Sequence, residues 1–238
     1  MIEVEPGRVL RVEAMFAAQP WGPPEVRLCT AASQLLDVAG VAVSVGASGE
    51  PGGSALHTVW ATDGGRAGEG RQFDLGEGPS YSAHRTGRPV QVADLEGDDT
   101  WPVFAKAATA LGVRAVFAFP LQSGAHSIGA VTLYRHVAGG LTAEQYADAL
   151  AVARFAFDLL TSLQAGHPPD ELDRVFTDGM GPTDTVSQAS GMVAVQLGIS
   201  VVAALAVLRA QAFTQECSLA DVATQVIEHR LLLGLPPD

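Results

Sequence analysis

Two apolar runs, Ala115-Val-Phe-Ala-Phe119 and Ile128 to Tyr134, flank the turn sequence Gln122-Ser-Gly-Ala. That pattern predicts a β-hairpin and commits the middle of the chain to antiparallel pairing. A second hairpin is expected upstream, from Val41-Ala-Val-Ser-Val45 and Leu56-His-Thr-Val-Trp-Ala61, joined by the glycine-rich loop 46–53. Asp63-Gly64-Gly65 reads as a turn, and Arg71-Gln-Phe-Asp-Leu75 alternates like an edge strand. Pro89-Val-Gln-Val92 reads as one more short strand. Helices are expected on either side: 3–18 and 24–38 before the sheet, and Thr142 to Gln164 after it. The last has Thr142 as N-cap and Leu150, Phe157, Leu160 and Leu163 at apolar positions. Short helices over Ser80–Thr86 and Val103–Leu111 would end at Gly87 and Gly112. Strands in the middle and helices at the ends make an α+β domain with a mostly antiparallel sheet.

The C-terminal part has a different character. From Thr185 to Leu208 there is no charged side chain, a run of 24 residues. That length would span a bilayer. Ser187, Gln188, Ser190, Gln196 and Ser200 are scattered through it, however, and Gly198-Ile199-Ser200 reads as a helix stop followed by a new N-cap. Two helices are therefore expected, about Asp184–Leu197 and Val201–Gln215, and no membrane span. A third, about Leu219–Leu232, is announced by Ser218 and Asp221 at capping-box spacing. The domains are read as 1–165, a linker 166–183 with one apolar turn around Leu172, Val175 and Phe176, and a small helical domain 184–238.

Charge narrows the partners. Of 26 acidic and 14 basic residues, residues 1–165 hold 17 and 11. Neither part is basic enough to attract nucleic acid by charge alone, and no polybasic stretch is present to hold a membrane surface. Cys29 and Cys217 are far apart, which argues against a disulfide framework or a structural zinc site and fits a reduced cytosol. The start is acidic and interrupted by charge, unlike a signal peptide. The six histidines show no metal-ligand spacing. Neither a G-x-S-x-G elbow nor a P-loop occurs, so no enzyme is expected.

Several spaced elements then carry a resemblance. Gln188-Ala-Ser-Gly-Met-Val, Gln196-Leu-Gly-Ile-Ser, Ala204-Leu, Leu208-Arg-Ala-Gln-Ala212 and Leu219-Ala-Asp-Val-Ala223 resemble an ANTAR domain, over about Thr183 to Leu233. Upstream, Gly76-Glu-Gly-Pro-Ser80, Pro89-Val-Gln-Val-Ala-Asp94-Leu, Trp101-Pro102, Gly112 to Leu121 and Ile128 to Arg135 resemble GAF domains of actinobacterial GAF–ANTAR regulators. The resemblance implies a dimeric RNA-binding module that prevents transcription termination at tandem RNA hairpins, under control of a GAF sensor. It implies no DNA partner. The alternative is a GAF-driven dimeric protein-interaction module with weak or no RNA binding.

The candidate residues follow from that. Arg209 would meet a phosphate or stack on an unpaired base, or else pair within its domain with Asp221 or Glu216. Gln188 and Ser190 would hydrogen-bond a base, or form a solvated face. Gly191 in mid-helix costs about 1 kcal/mol against alanine, which close packing or approach of RNA would offset. In the GAF-like part, Phe73, Tyr81, Trp101, Phe104, Phe117 and Phe119 would line an apolar ligand cavity, with Arg114 or His84 as polar groups, or simply fill the core. No cofactor is identified, and the small-molecule ligand is unknown. Dimerisation is expected through 3–38 and 142–164, whose apolar stripes exceed what one sheet face covers.

Overall fold

The computed structural model describes residues 4–46, 56–123, 126–165, 182–229 and 231. The linker turn at 172–176, most of the loop 46–53, and Arg230 lie outside them. Five strands form one sheet: β1 (Gly40–Gly46), β2 (Leu56–Ala61), β3 (Val90–Val92), β4 (Ala115–Ser123) and β5 (His126–Arg135). Their order is β2-β1-β5-β4-β3, and every neighbouring pair is antiparallel. The predicted hairpin is the centre of the sheet, with Phe117 opposite Leu133 and Phe119 opposite Val131.

Successive strand residues point to opposite faces, and each face has its own helical layer. Val41, Val43, Phe117, Phe119, Val131 and Leu133 face α1 (Pro6–Ala18), α2 (Pro24–Leu36) and α6 (Ala143–Ala165). Here Phe16 meets Phe155 with ring centroids 5.3 Å apart. Asp148, buried on α6, is held by Arg8 at 2.8 Å and Arg11 at 3.3 Å. The apolar stripes of these three helices are thus largely satisfied within the chain. Leu10, Trp21 and Val26 remain exposed.

Ala42, Val116 and Tyr134 point the other way, into a layer that includes α5 (Pro102–Ala110) and its Phe104. The helices α3 (Asp63–Leu75) and α4 (Pro79–Thr86) complete this side. The edge strand expected at 71–75 does not form; those residues end α3. Thr62 caps the helix, its hydroxyl accepting from the Gly65 N–H at 3.2 Å. The turn signal Asp63-Gly64-Gly65 is therefore a helix start. Its glycines serve close approach: a Cβ on Gly65 would overlap the Val41 backbone, and one on Gly68 the Tyr134 ring. A helix with side chains there would be held off the sheet.

The C-terminal unit is three helices, α7 (Pro182–Leu197), α8 (Val201–Thr214) and α9 (Leu219–Ile227). Gly198, at φ +66°, stops α7. Ser200 caps α8, and Ser218 with Asp221 forms the predicted capping box of α9. The third helix ends at Ile227, short of Leu232, and His229 beyond it has φ +56°. Ala189, Val193, Ala204, Leu208, Val222 and Ala223 build the small core. Among the described residues no single helix is long and apolar enough to cross a membrane. The bent pair α7–α8 passes only in combination, at an angle of 106°.

Candidate functional site

Because α3 lies directly on the sheet, its inward side chains enter the GAF core. Glu69 is 2% exposed there. Its Oε2 accepts from the Tyr134 hydroxyl at 2.6 Å and from the Gln72 amide at 3.1 Å. The Gln72 amide also reaches the Tyr134 hydroxyl oxygen at 2.7 Å, and its carbonyl oxygen accepts from the Ser80 N–H at 2.8 Å. The hydroxyls of Ser44, Ser80 and Thr132 surround the carboxylate and ease its charge, but those of Ser80 and Thr132, like Oε1 itself, have no partner in hydrogen-bond geometry. Burial dominates and pushes the Glu69 carboxyl up from its usual range. Sequence reading missed this cluster, because 71–75 was assigned to a strand and Glu69 therefore had no helix to carry it inward.

The aromatic residues proposed for one cavity are divided by the sheet. Phe117 and Phe119 share a strand face and pack with α1, α2 and α6. Phe104 is fully buried on the opposite side, with Trp101 against it. Arg114 stays at the surface, paired with Asp94 at 3.1 Å and Glu96 at 2.9 Å. The His84 Nδ1 lies 3.0 Å from the Ser127 hydroxyl, and burial lowers the pKa of that imidazole. Only Phe73 and Tyr81 of the set come together with a third functional candidate, Arg209.

Arg209 projects from α8 onto the GAF domain. Its Nε and Nη2 donate to the Phe73 carbonyl oxygen at 3.0 and 2.6 Å, and Nη2 reaches the Tyr81 hydroxyl at 3.3 Å. The guanidinium carbon lies 5.4 Å from the Phe73 ring centroid, within cation–π range. Phe73 is in the last turn of α3, where the helix dipole is negative, and its carbonyl otherwise accepts only from the Gly76 N–H at 3.3 Å. The intradomain pairs with Asp221 or Glu216 do not form. Burial pushes the Tyr81 phenol up, against the opposing charge of Arg209. Beside this contact runs a groove of about 590 Å³, with Leu75, Val103 and Ala107 on one side and Ala210, Phe213 and Cys217 on the other.

On α7 the candidates separate. Gln188 is exposed. Ser190 is buried, its hydroxyl turned back to the Val186 carbonyl at 2.8 Å. Gly191 faces open space, since a Cβ there would meet nothing within 4 Å. Helix packing therefore does not require this glycine, whereas Ala189, Ala204 and Ala223 are fully buried.

The cysteines differ in the same way. Cys29 is buried in the helical layer, which raises its thiol to about 12. The thiolate is the reactive form, so a thiol reagent at neutral pH is expected to modify Cys217 alone in the native protein. Mass spectrometry would show one adduct before denaturation and two after it. Rapid labelling of Cys29 would contradict the packing of α2.

Comparison with known proteins agrees with this architecture. Residues 26–152 match the GAF domain family, and residues 183–227 match the ANTAR domain family. Among solved structures, the GAF domain of a phosphoenolpyruvate-protein phosphotransferase from Coxiella burnetii is 12% identical, with a TM-score of 0.49 over 67% of this chain and 94% of that one. The corresponding GAF domain from Acinetobacter is 7% identical, with a TM-score of 0.48 over 68% and 96%. No curated protein matches the chain. GAF and ANTAR domains are sensor and RNA-binding regulatory modules, typically non-enzymatic. With the GAF match covering more than half of its length, the chain belongs to the GAF domain family and, with an ANTAR domain following, is a signal-regulated RNA-binding regulator.

Proposed function

We propose that this protein regulates transcription by antitermination in the cytoplasm. Its paired ANTAR domains bind tandem hairpins of a leader RNA, and the GAF domain controls them on sensing a small molecule. The observation that supports this most directly is the surface of α7. Gln188 offers both amide donor and acceptor to a base, and Gly191 leaves the helix backbone open to close approach. With Arg209 they make up the RNA-facing set. Ser190 supports α7 from inside. On the GAF side, Tyr81, Trp101 and Phe104 lie on the sheet face that carries Glu69, which supports reading that face as the sensing side.

Few cations are available for this task. From Pro182 onward the chain has only Arg209 and Arg230. Each neutralised phosphate contributes about −0.7 to −0.9 to the slope of log K against log salt, so a dimer is expected to show a slope no steeper than about −4. A salt titration of hairpin RNA binding checks this. A steeper slope would place the RNA on other parts of the protein.

A second reading has its own support. Within 183–227 the sequence has one basic residue and three carboxylates, Asp184, Glu216 and Asp221. A GAF-driven dimer that binds protein rather than RNA would suit that balance. Absence of RNA binding at low salt would favour it.

A further inference from the structure

Arg209 is the only basic residue in the ANTAR-matched segment 183–227. It is also the residue that is engaged with the other domain. We propose that the structure is a silenced state, in which the GAF domain withholds from RNA the single cation of the ANTAR-matched segment. The inference rests on the RNA-binding reading above and assigns its regulation to a particular contact.

Three observations support it. First, the guanidinium is well satisfied: two donors go to one helix-terminal carbonyl, a third contact reaches Tyr81, and the Phe73 ring lies alongside. A phosphate that took the Nε–Nη2 edge would have to displace all of these. Second, the rest of the interface is open. The groove beside the clamp separates Leu75, Val103 and Ala107 from Ala210 and Phe213. Among the described residues, Phe73 is the GAF side chain that packs against the ANTAR core. A small interface of this kind can be released without unfolding either domain. Third, both acceptors adjoin the GAF polar core. Gln72 precedes Phe73 and Ser80 precedes Tyr81, and the Gln72 side-chain Oε1 accepts from the Ser80 N–H. Gln72 in turn holds Glu69 and Tyr134. A change in that core which moves α3 against α4 would shift both acceptors of Arg209 together.

Gly76 supplies the test. It ends α3 at φ +70°, and a Cβ there would lie 2.7 Å from Nη1 and 2.9 Å from Cζ of Arg209. Asparagine tolerates this backbone conformation, so Gly76→Asn keeps the helix end while displacing the guanidinium. Tyr81→Phe removes one acceptor of Arg209, together with the hydroxyl's hydrogen bond to the Leu56 backbone. Full-length wild type, both variants, Arg209→Ala and the double variant Gly76→Asn/Arg209→Ala would be titrated with a synthetic tandem-hairpin RNA. Small-angle scattering without RNA reads the docking, and melting curves confirm that each variant folds.

Gly76→Asn is expected to enlarge the radius of gyration and to tighten RNA binding by about fivefold or more, within the usual range of allosteric coupling. Tyr81→Phe should give a smaller gain, and the double variant should bind no better than Arg209→Ala. Undocking with unchanged RNA affinity would overturn the silencing while leaving the RNA reading intact. Unchanged scattering and unchanged affinity in Gly76→Asn would show that Arg209 does not hold the domains. Undocking with no RNA binding by any form, wild type included, would overturn the inference together with the RNA reading.

Discussion

Gly65→Ala is expected to destabilise the GAF domain by about 3 kcal/mol or more, at the upper end of what overpacking costs. The added methyl would overlap the carbonyl and nitrogen of Val41. Neither can move easily. Val41 is paired with Leu133 of β5, and on its other side its carbonyl accepts from the Thr62 N–H at 2.9 Å and its N–H donates to the Thr62 hydroxyl at 3.0 Å. The helix would have to lift, and Glu69 and Gln72 would lose their places against Tyr134. Gly70→Ala in the same helix is the control. A Cβ there meets nothing within 4 Å, so it should stabilise by about 0.5–1 kcal/mol through helix propensity. Thermal melting of the two variants should therefore move in opposite directions. Equal shifts would mean that α3 does not lie on the sheet as described.

The second large effect concerns Glu69. Burial raises its folded-state pKa above the unfolded value. Its contribution to stability is thus fully present below the unfolded pKa, about 4.3, and is lost as pH rises through the folded pKa. Glu69→Gln keeps an acceptor for Tyr134 and Gln72 and removes the titration. The stability of the variant relative to wild type should therefore grow as pH rises from about 4.3. Glu69→Leu should instead cost about 3 kcal/mol, because in a buried site the Tyr134 hydroxyl loses its acceptor and the Gln72 amide one of its two. Melting temperatures across pH measure both. Parallel pH curves for wild type and Glu69→Gln would contradict a buried titrating carboxyl.

Much of the architecture was legible because it depends on local patterns. The β4–β5 hairpin, the capping box at Ser218 and Asp221, and the stop at Gly198 each show in a few adjacent residues. What was not legible depends on partners distant in sequence. Gly64 and Gly65 look like a turn until Gly40 and Val41 of β1 are placed against them. The alternation in Phe117 and Phe119 puts both on one face, but only the helix arrangement decides which face. For Arg209, the sequence offered Asp221 and Glu216 as nearby acids. Its actual acceptor is a backbone carbonyl 136 residues away, which no side-chain pattern reports. Gly191 looked like a packing residue because it stands in mid-helix among alanines, yet its α-carbon faces outward.

The most direct measurement for the account is equilibrium binding of the full-length protein to a tandem-hairpin leader RNA, beside an unstructured RNA of equal length. Preferential binding of the hairpin RNA is predicted, and with Arg209 released by Gly76→Asn it is expected to fall by about tenfold on Arg209→Ala, the loss of a charge-assisted contact. Equal binding of the two RNAs, or binding indifferent to Arg209, would contradict an ANTAR domain that reads hairpins through this residue.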